Sequence, residues 1–254
     1  MLSTRPTAQF GLGVLLALLL ANAAASAQDT TSTATPPAAP EREVQHPTRG
    51  TVHRGELWPE DPSRTRLFFA QTGRTLRARE AFVAVAYGIV PSVQVGLTDY
   101  LTVGAGEAII GREINGDIAY LTSKLRLLST PTFSLSAGGV AGVARNPTNS
   151  PSIRALYGAG TYGTPDVNVT LGGGWGYGSS VMDRPSVVIV GATARVARDM
   201  AFVTENYIAA SGGAGQLLSG GVRMMSEHIA VDLAVFTNAS ADTPLPYVSI
   251  LYKF

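Results

Sequence analysis

The last eight residues of the chain, 247–254, read YVSILYKF. Because alternate side chains of an extended strand point to opposite sides, one face of this segment carries four apolar residues: Val248, Ile250, Tyr252 and Phe254. The other face is mixed and carries Tyr247, Ser249, Leu251 and the cation Lys253. A strand with one wholly apolar face, and another that admits polar side chains, is able to separate hydrocarbon from a polar interior.

The same alternation continues upstream through most of the chain. Between Glu80 and Phe254, short segments alternate apolar with small or polar residues, and turn-forming residues separate them. This pattern predicts about twelve strands. They cover approximately residues 80–88, 90–97, 100–110, 117–128, 132–144, 152–162, 166–176, 186–196, 199–209, 216–225, 228–236 and 247–254.

Individual segments assign the two faces. Val231 and Leu233 lie opposite Asp232, and Leu125 lies opposite Lys124. A membrane barrel turns the apolar row to lipid and the charges inward. A soluble β-sandwich or lipocalin-like barrel does the reverse, and periodicity alone does not distinguish the two.

The connections between the segments provide a second indication. The connections after even-numbered segments are short, and those after odd-numbered segments are mostly longer, apart from a tight one near Ile89 to Ser92. Short connections at one end and long ones at the other match periplasmic turns and extracellular loops. Main-chain groups exposed to lipid are costly, so the sheet has to close. We therefore predict an all-β fold, a closed antiparallel transmembrane β-barrel over residues 80–254.

The N-terminal region indicates export. Arg5 precedes an apolar run from Phe10 to Ala21, and small residues follow as far as Ala27, which is the order of a secretory signal peptide over residues 1–27. The run is too short for a transmembrane helix. Residues 28–65, rich in Pro, Thr and charge, are predicted to be a flexible periplasmic linker, and residues 66–79 a lead-in or a plug.

Two features carry a resemblance to known proteins. The terminal YVSILYKF resembles the C-terminal signal that the barrel-assembly machinery reads in bacterial outer-membrane proteins. RTRLFFAQTGRTL from Arg64, VGLTDYLTVGAG from Val95 and FVTENY from Phe202 resemble an uncharacterised, porin-like group of outer-membrane barrels. The resemblance implies a fold, an outer-membrane location, and two partners, the assembly machinery and outer-membrane lipid. It implies no substrate.

Composition and motifs exclude several function classes. A net charge of +1 gives no reason to expect a nucleic-acid partner, and the chain has no cysteine. The histidines are His46, His53 and His228, two in the predicted linker and one in a predicted turn, so a Ser–His–Asn lipase site on the barrel lacks its base. We therefore expect no enzymatic activity and no cofactor. We also expect no metal site, because two imidazoles in a linker are a weak ligand set.

The charged residues on the predicted strands are the candidate functional residues. Eight of them are predicted to line the lumen: Lys124, Arg126, Arg154, Arg195, Glu205, Arg223, Asp232 and Lys253. One interpretation is an ion-pair network that fills a narrow interior. Because basic residues outnumber acidic ones, the other is a small channel that favours polar or anionic solutes.

Three function classes stay open at this point. A narrow channel or transporter predicts discrete conductance, a structural or adhesive barrel places its activity in the extracellular loops, and an outer-membrane enzyme is the most distant alternative. The sequence leaves the oligomeric state open.

Overall fold

The computed structural model describes residues 50–108, 118–144, 152–177, 186–209, 215–238 and 243–254. The predicted signal peptide and the first part of the predicted linker lie outside the described residues. Within these ranges the chain is all β, with fourteen strands, β1 to β14. No helix in the described ranges is long and apolar enough to cross a membrane.

Twelve of the strands form one closed antiparallel barrel. Each pairs with the next along the chain, and β14 returns to β3 with Ser249 opposite Ala86 and Lys253 opposite Phe82. The predicted fold class is confirmed. The strands are β3 (Ala81–Ala86), β4 (Val90–Gly96), β5 (Leu101–Ala108), β6 (Ile118–Ser129), β7 (Phe133–Ala144), β8 (Ser152–Gly163), β9 (Val167–Tyr177), β10 (Ser186–Ala197), β11 (Met200–Ala209), β12 (Gln216–Met225), β13 (Ile229–Asn238) and β14 (Leu245–Lys253).

The two ends of the barrel differ in their connections. At the end that carries Phe254, here called the C-terminal rim, the strands are joined by residues 97–100, 130–132, 164–166, 198–199 and 226–228. At the opposite end, the loop rim, most connections are longer and lie largely outside the described residues. The exception is a tight turn at Tyr87 and Gly88, which have φ of 53° and 73°. Two successive positive φ values make this a type I′ hairpin turn.

The outer surface of the barrel is apolar. Leu125, Leu171 and Ile250 point outward and are about half exposed, whereas Lys124 and Asp232 point inward and are buried. This arrangement is the reverse of a soluble barrel and suits a wall surrounded by hydrocarbon.

Aromatic side chains gather outside the C-terminal rim. Tyr162, Phe202, Tyr252 and Phe254 are all strongly exposed there. Aromatic rings concentrate where a barrel leaves the hydrocarbon for the polar headgroups, so this girdle marks an interface.

The outward face of β11 is more polar, because Thr204 and Asn206 lie on it. Its ladder with β12 is interrupted in mid-strand, and Thr204 Oγ1 donates to the Ser219 carbonyl at 2.6 Å. The Ser219 amide donates to Asn206 Oδ1, and Asn206 Nδ2 donates to the Val190 carbonyl. These polar groups are therefore satisfied locally, which lowers the cost of facing lipid.

The prediction of a flexible linker through residue 65 is wrong for residues 50–65. Strands β1 (Gly50–His53) and β2 (Glu56–Pro59) form a hairpin, and residues 61–65 are buried. The composition misled because this segment is ordered by hydrogen bonds and ion pairs inside the barrel, not by an apolar face of its own.

Candidate functional site

A segment of chain fills the lumen. Residues 61–78, here called the plug, enter from the C-terminal rim, turn and return to it. The two halves meet at a bridge between Arg66 and Gln71, and the Leu67 amide donates to the Ala70 carbonyl at 2.8 Å across the turn. The turn residues 67–70, the plug tip, are buried within the barrel.

One carboxylate of the wall holds the plug tip. Glu205 Oε2 accepts hydrogen bonds from the amides of Phe68, Phe69 and Ala70 at 2.7, 2.9 and 3.0 Å. The Tyr207 hydroxyl donates to the other oxygen of the same carboxylate. Four donors converge on this one carboxyl group, so Glu205 fixes the backbone of the turn.

Arg223 is the main cationic contact, and its side chain is fully buried. Its Nε donates to Asp232 Oδ1 at 2.6 Å, and its Nη1 donates to Asp61 Oδ2 at 3.0 Å. Its Nη2 also donates to the Leu67 carbonyl at 2.6 Å. Arg223 therefore joins the wall to the start of the plug and to its tip.

Lys124 contacts the plug from the opposite wall. Its Nζ donates to the carbonyls of Thr65 and Thr72 at 2.8 and 3.2 Å, so it bridges the two halves of the hairpin. The Ser136 hydroxyl donates to the Thr72 carbonyl at 3.1 Å. Lys124 and Ser136 therefore bind main-chain carbonyls of the plug rather than its side chains.

Wall hydroxyls also accept from plug amides. The Gly73 amide donates to Thr161 Oγ1 at 2.8 Å, and the Leu76 amide donates to Thr102 Oγ1 at 3.1 Å. A Cβ at Gly73 would overlap the main chain of Ser134, so the plug lies close against the wall at this point.

The plug tip also packs in an aromatic shell. The Phe68 ring lies 5.8 Å from Phe236 and 5.5 Å from Tyr247, and the Phe69 ring lies 4.6 Å from Tyr247. The Tyr247 hydroxyl donates to the Phe68 carbonyl at 3.1 Å. The half of the lumen towards the loop rim is therefore apolar around the tip.

Five charged side chains surround the foot of the plug and form what we call the base cluster: Glu60, Arg64, Arg77, Glu80 and Lys253. Arg77 binds Glu60 through two contacts of 2.7 Å, Arg64 contacts Glu80 at 2.5 Å, and Lys253 contacts Glu80 at 3.1 Å. Burial raises the pKa of Glu60, but the hydrogen bond from Arg77 and the charge of Arg64 outweigh it and lower the pKa overall. Burial raises the pKa of Glu80 as well, but the charge and hydrogen bond of Arg64, the amide of Arg77 and the charge of Lys253 together outweigh it and lower the pKa.

The β1–β2 hairpin lies at the C-terminal rim. Arg195 Nη1 donates to the Pro59 carbonyl at 2.6 Å and to Asp166 Oδ1 at 3.2 Å. His53 Nε2 lies 3.0 Å from Asp166 Oδ2, and its ring stacks on Trp58 at 4.0 Å. The hairpin is thus joined to strand β10 and to the turn that contains Asp166.

Seven of the eight predicted lumen residues do point inward: Lys124, Arg126, Arg195, Glu205, Arg223, Asp232 and Lys253. The prediction is wrong for Arg154, which is exposed on the outward face of β8 with Leu156 and Tyr162. It lies near the loop rim, where a long cationic side chain on the outer face can reach water beyond the hydrocarbon.

The four residues of the predicted assembly signal, Val248, Ile250, Tyr252 and Phe254, are exposed on the outer surface. Their recognition by the assembly machinery stays a prediction.

Sequence reasoning missed the neutral partners of the plug. Thr102, Ser136 and Thr161 are small inward residues with no distinguishing pattern, and Asp61 lies in the predicted linker. The available signal was the run Leu67-Phe68-Phe69, which is apolar but has no strand partner of its own.

The described histidines lie away from the barrel strands. His53 is in β1, and His228 lies in a turn of the C-terminal rim with Nδ1 3.1 Å from the Lys253 carbonyl. No three His, Cys, Asp or Glu side chains are placed to hold a metal ion within the part of the chain that the structure describes.

The sequence matches no known protein family and no curated protein. Among solved structures, the KdgM porin in complex with disordered oligogalacturonate superposes with a TM-score of 0.53 at 9% identity, over 69% of this chain and 98% of that chain. A second structure of the KdgM porin gives a TM-score of 0.50 at 10% identity, over the same shares. This chain therefore shares the barrel fold of that porin.

Proposed function

We propose that the protein is a channel of a bacterial outer membrane for small polar or anionic solutes and that the plug holds it shut. Three features support the location: the apolar outer surface, the aromatic girdle and the closed sheet. The porin-like fold and the predicted signal peptide agree with it. The C-terminal rim then faces the periplasm, since the N-terminal segment enters there.

One observation carries the proposal: the interior is filled in large part by a separable segment and not by the wall alone. Inward positions of the wall include small residues such as Gly104, Ser136, Gly138 and Gly191. Gly191 is needed because a Cβ there would overlap the Leu67 side chain of the plug. A barrel built only as a scaffold fills its centre with its own side chains.

The plug is attached by contacts that break without unfolding the sheet. Within the described residues, 61–78 share no main-chain hydrogen bond with the barrel strands. Side chains of the wall supply the contacts instead. Release of the plug therefore leaves every ladder of the barrel intact.

The inward charges support the solute class. When the plug is absent, the lumen exposes Lys124, Arg126, Arg195 and Arg223 against Glu205 and Asp232. An excess of cations favours anions. The solved complex of the KdgM porin contains an acidic saccharide, which makes acidic saccharides a reasonable first class to test here.

The decisive experiment is conductance in planar bilayers. We expect the mature protein to be silent and the variant that lacks residues 28–79 to show discrete steps with a preference for anions. Arg126→Glu and Arg195→Glu in that variant should lower the preference. If the mature protein conducts steadily, the plug does not close it.

An intact-chain variant covers the case in which the deletion does not fold. Arg223→Ala leaves Asp61 buried without its cation and Asp232 with only the longer contact to Arg66, so we expect intermittent openings. Arg154→Ala, on the outer wall, should stay silent. Heat-modifiable electrophoretic mobility confirms folding. If the folded deletion and Arg223→Ala are both silent, the channel is disproved and a structural or adhesive barrel is the better account.

A further inference from the structure

A small cavity of about 180 Å³ lies at the C-terminal rim, between the plug and the barrel, and we call it the rim pocket. Residues 129–134, with Gly163 and Pro165, form its barrel side. A single buried water needs only about 10 to 15 Å³ of such space, so the rim pocket has room for a larger polar group.

Charge distinguishes the rim pocket from the rest of the rim. It is lined by four arginines and one carboxylate: Arg64, Arg74, Arg77, Arg126 and Glu60. Arg64 and Arg77 are paired with Glu60 and Glu80. The lining therefore carries more positive charge than its own carboxylates neutralise.

The other two arginines have no carboxylate partner among the described residues. Arg74, on the plug, donates to the carbonyls of Gly163 and Thr164 at 3.3 and 2.8 Å. Arg126, on β6, lies over the Tyr100 ring at 4.9 Å. Burial and the nearby charge of Arg64 lower the pKa of Arg74, as expected where positive charge is crowded.

We propose that the rim pocket binds a small soluble oxyanion with two or more negative charges, of the phosphate or dicarboxylate class. Guanidinium groups bind such anions through paired hydrogen bonds. The pocket opens on the inner side of the wall, where Arg126 and Ser134 point, so a lipid headgroup outside the barrel does not reach it.

Occupancy also stabilises the closed state. Arg74 belongs to the plug and Arg126 to the barrel, so an anion between them joins the two parts. A ligand that binds the closed arrangement and not the open one shifts the equilibrium towards closure. This consequence concerns the plug and does not depend on which solute the channel carries.

The test is isothermal titration of the refolded mature protein in an uncharged detergent, with inorganic phosphate and with pyrophosphate as probes. We expect saturable binding, tighter for pyrophosphate. Arg126→Gln and Arg74→Gln should each weaken it at least about tenfold. Arg154→Gln makes the same change outside the pocket and should bind like the parent. Heat-modifiable mobility shows that each variant is folded.

A second measurement addresses closure. In an Ala70→Cys variant, the thiol at the plug tip should react more slowly with a soluble thiol reagent when pyrophosphate is present, and Arg126→Gln should abolish this protection. The proposal is overturned if phosphate and pyrophosphate do not bind, if all variants bind equally, or if chloride at matched ionic strength protects equally. None of these readouts uses conductance, so a failure here is separate from a failure of the proposed channel.

Discussion

The two ends of the plug are held by different chemistry. At its tip, Phe68 and Phe69 pack against Phe236 and Tyr247, and Glu205 binds the turn. At its foot lies the base cluster of three cations and two carboxylates. Apolar burial changes little with salt or mild acid, whereas ion pairs depend on both. The apolar contacts of the tip should therefore keep the lumen closed equally at different salt concentrations and in mild acid. The contribution of the base cluster to closure should depend on both salt and pH.

The sharpest way to break this comparison is Glu205→Ala. Three buried amides lose their acceptor, at a cost of about 1 to 3 kcal/mol each, so this variant should release the tip most strongly. The measurement is the labelling rate of Ala70→Cys in the otherwise cysteine-free chain, which we expect to rise by about a hundredfold or more.

Glu205→Gln is the matched control. Its amide oxygen still accepts hydrogen bonds, so the labelling rate should rise much less. If Glu205→Ala labels like the parent, the carboxylate does not hold the tip.

Truncation of the tip itself should have the next largest effect. Phe69→Ala removes ring contacts with Tyr87, Phe236 and Tyr247 and should weaken closure by about 3 to 4 kcal/mol. The effect should be the same at low and high salt. Phe202→Ala, an outward phenylalanine, removes the same ring from the lipid face and should leave labelling unchanged. Equal effects of the two substitutions would refute the assignment of the tip.

Acid should weaken the ion pairs at the foot of the plug. The pKa values of Glu60, Glu80 and Asp166 are lowered in the folded protein from ordinary values of 4.5, 4.5 and 3.8. Their contribution is therefore complete above about pH 5 and is lost as the pH falls through the lowered values. We expect the open probability in bilayers to be constant between pH 7 and pH 5 and to rise at least about tenfold by pH 3.

Phe69→Ala supplies the control for that experiment. Because the ring contacts of Phe69 do not titrate, the ratio of its open probability to that of the parent should stay constant over the range in which both can be measured. A parent protein that stays equally closed at pH 3 would show that the base cluster does not contribute to closure.

The barrel could be predicted from the sequence because its determinants are local. A period of two residues defines the strands, and it correctly places Lys124, Glu205 and Asp232 inside. Arg154 has the same parity on β8 as Leu156 and Tyr162, so the period of two in fact places it outside. Near a strand end, an outward charge is tolerated by reaching water.

The plug could not be assigned because its contacts are distant in sequence and involve the main chain. Arg66 binds Ser249 across 183 residues, and Glu205 binds amides rather than side chains. A main-chain amide has no sequence signature, so Glu205 could be recognised as inward but its partner could not. For the same reason, Asp61 could not be recognised as a plug contact from the sequence, because its role depends on Arg223 of β12, which is distant in the chain.

The smallest effect is expected for Arg198→Gln. This substitution tests whether an exposed ion pair or the buried contacts hold the β1–β2 hairpin next to the foot of the plug. Arg198 contacts Glu56 of the hairpin at 2.9 Å, but both side chains are more than half exposed. An exposed pair contributes less than about 1 kcal/mol and is screened by salt.

The measurement is tryptophan fluorescence in a Trp175→Phe background, in which Trp58 of the hairpin is the single tryptophan. In this background, Arg198→Gln should leave the emission of Trp58 as it is in the parent. Arg195→Gln removes buried contacts to Pro59 and Asp166 and should shift it. If Arg198→Gln shifts the emission as much, exposed charge rather than buried contact holds the hairpin.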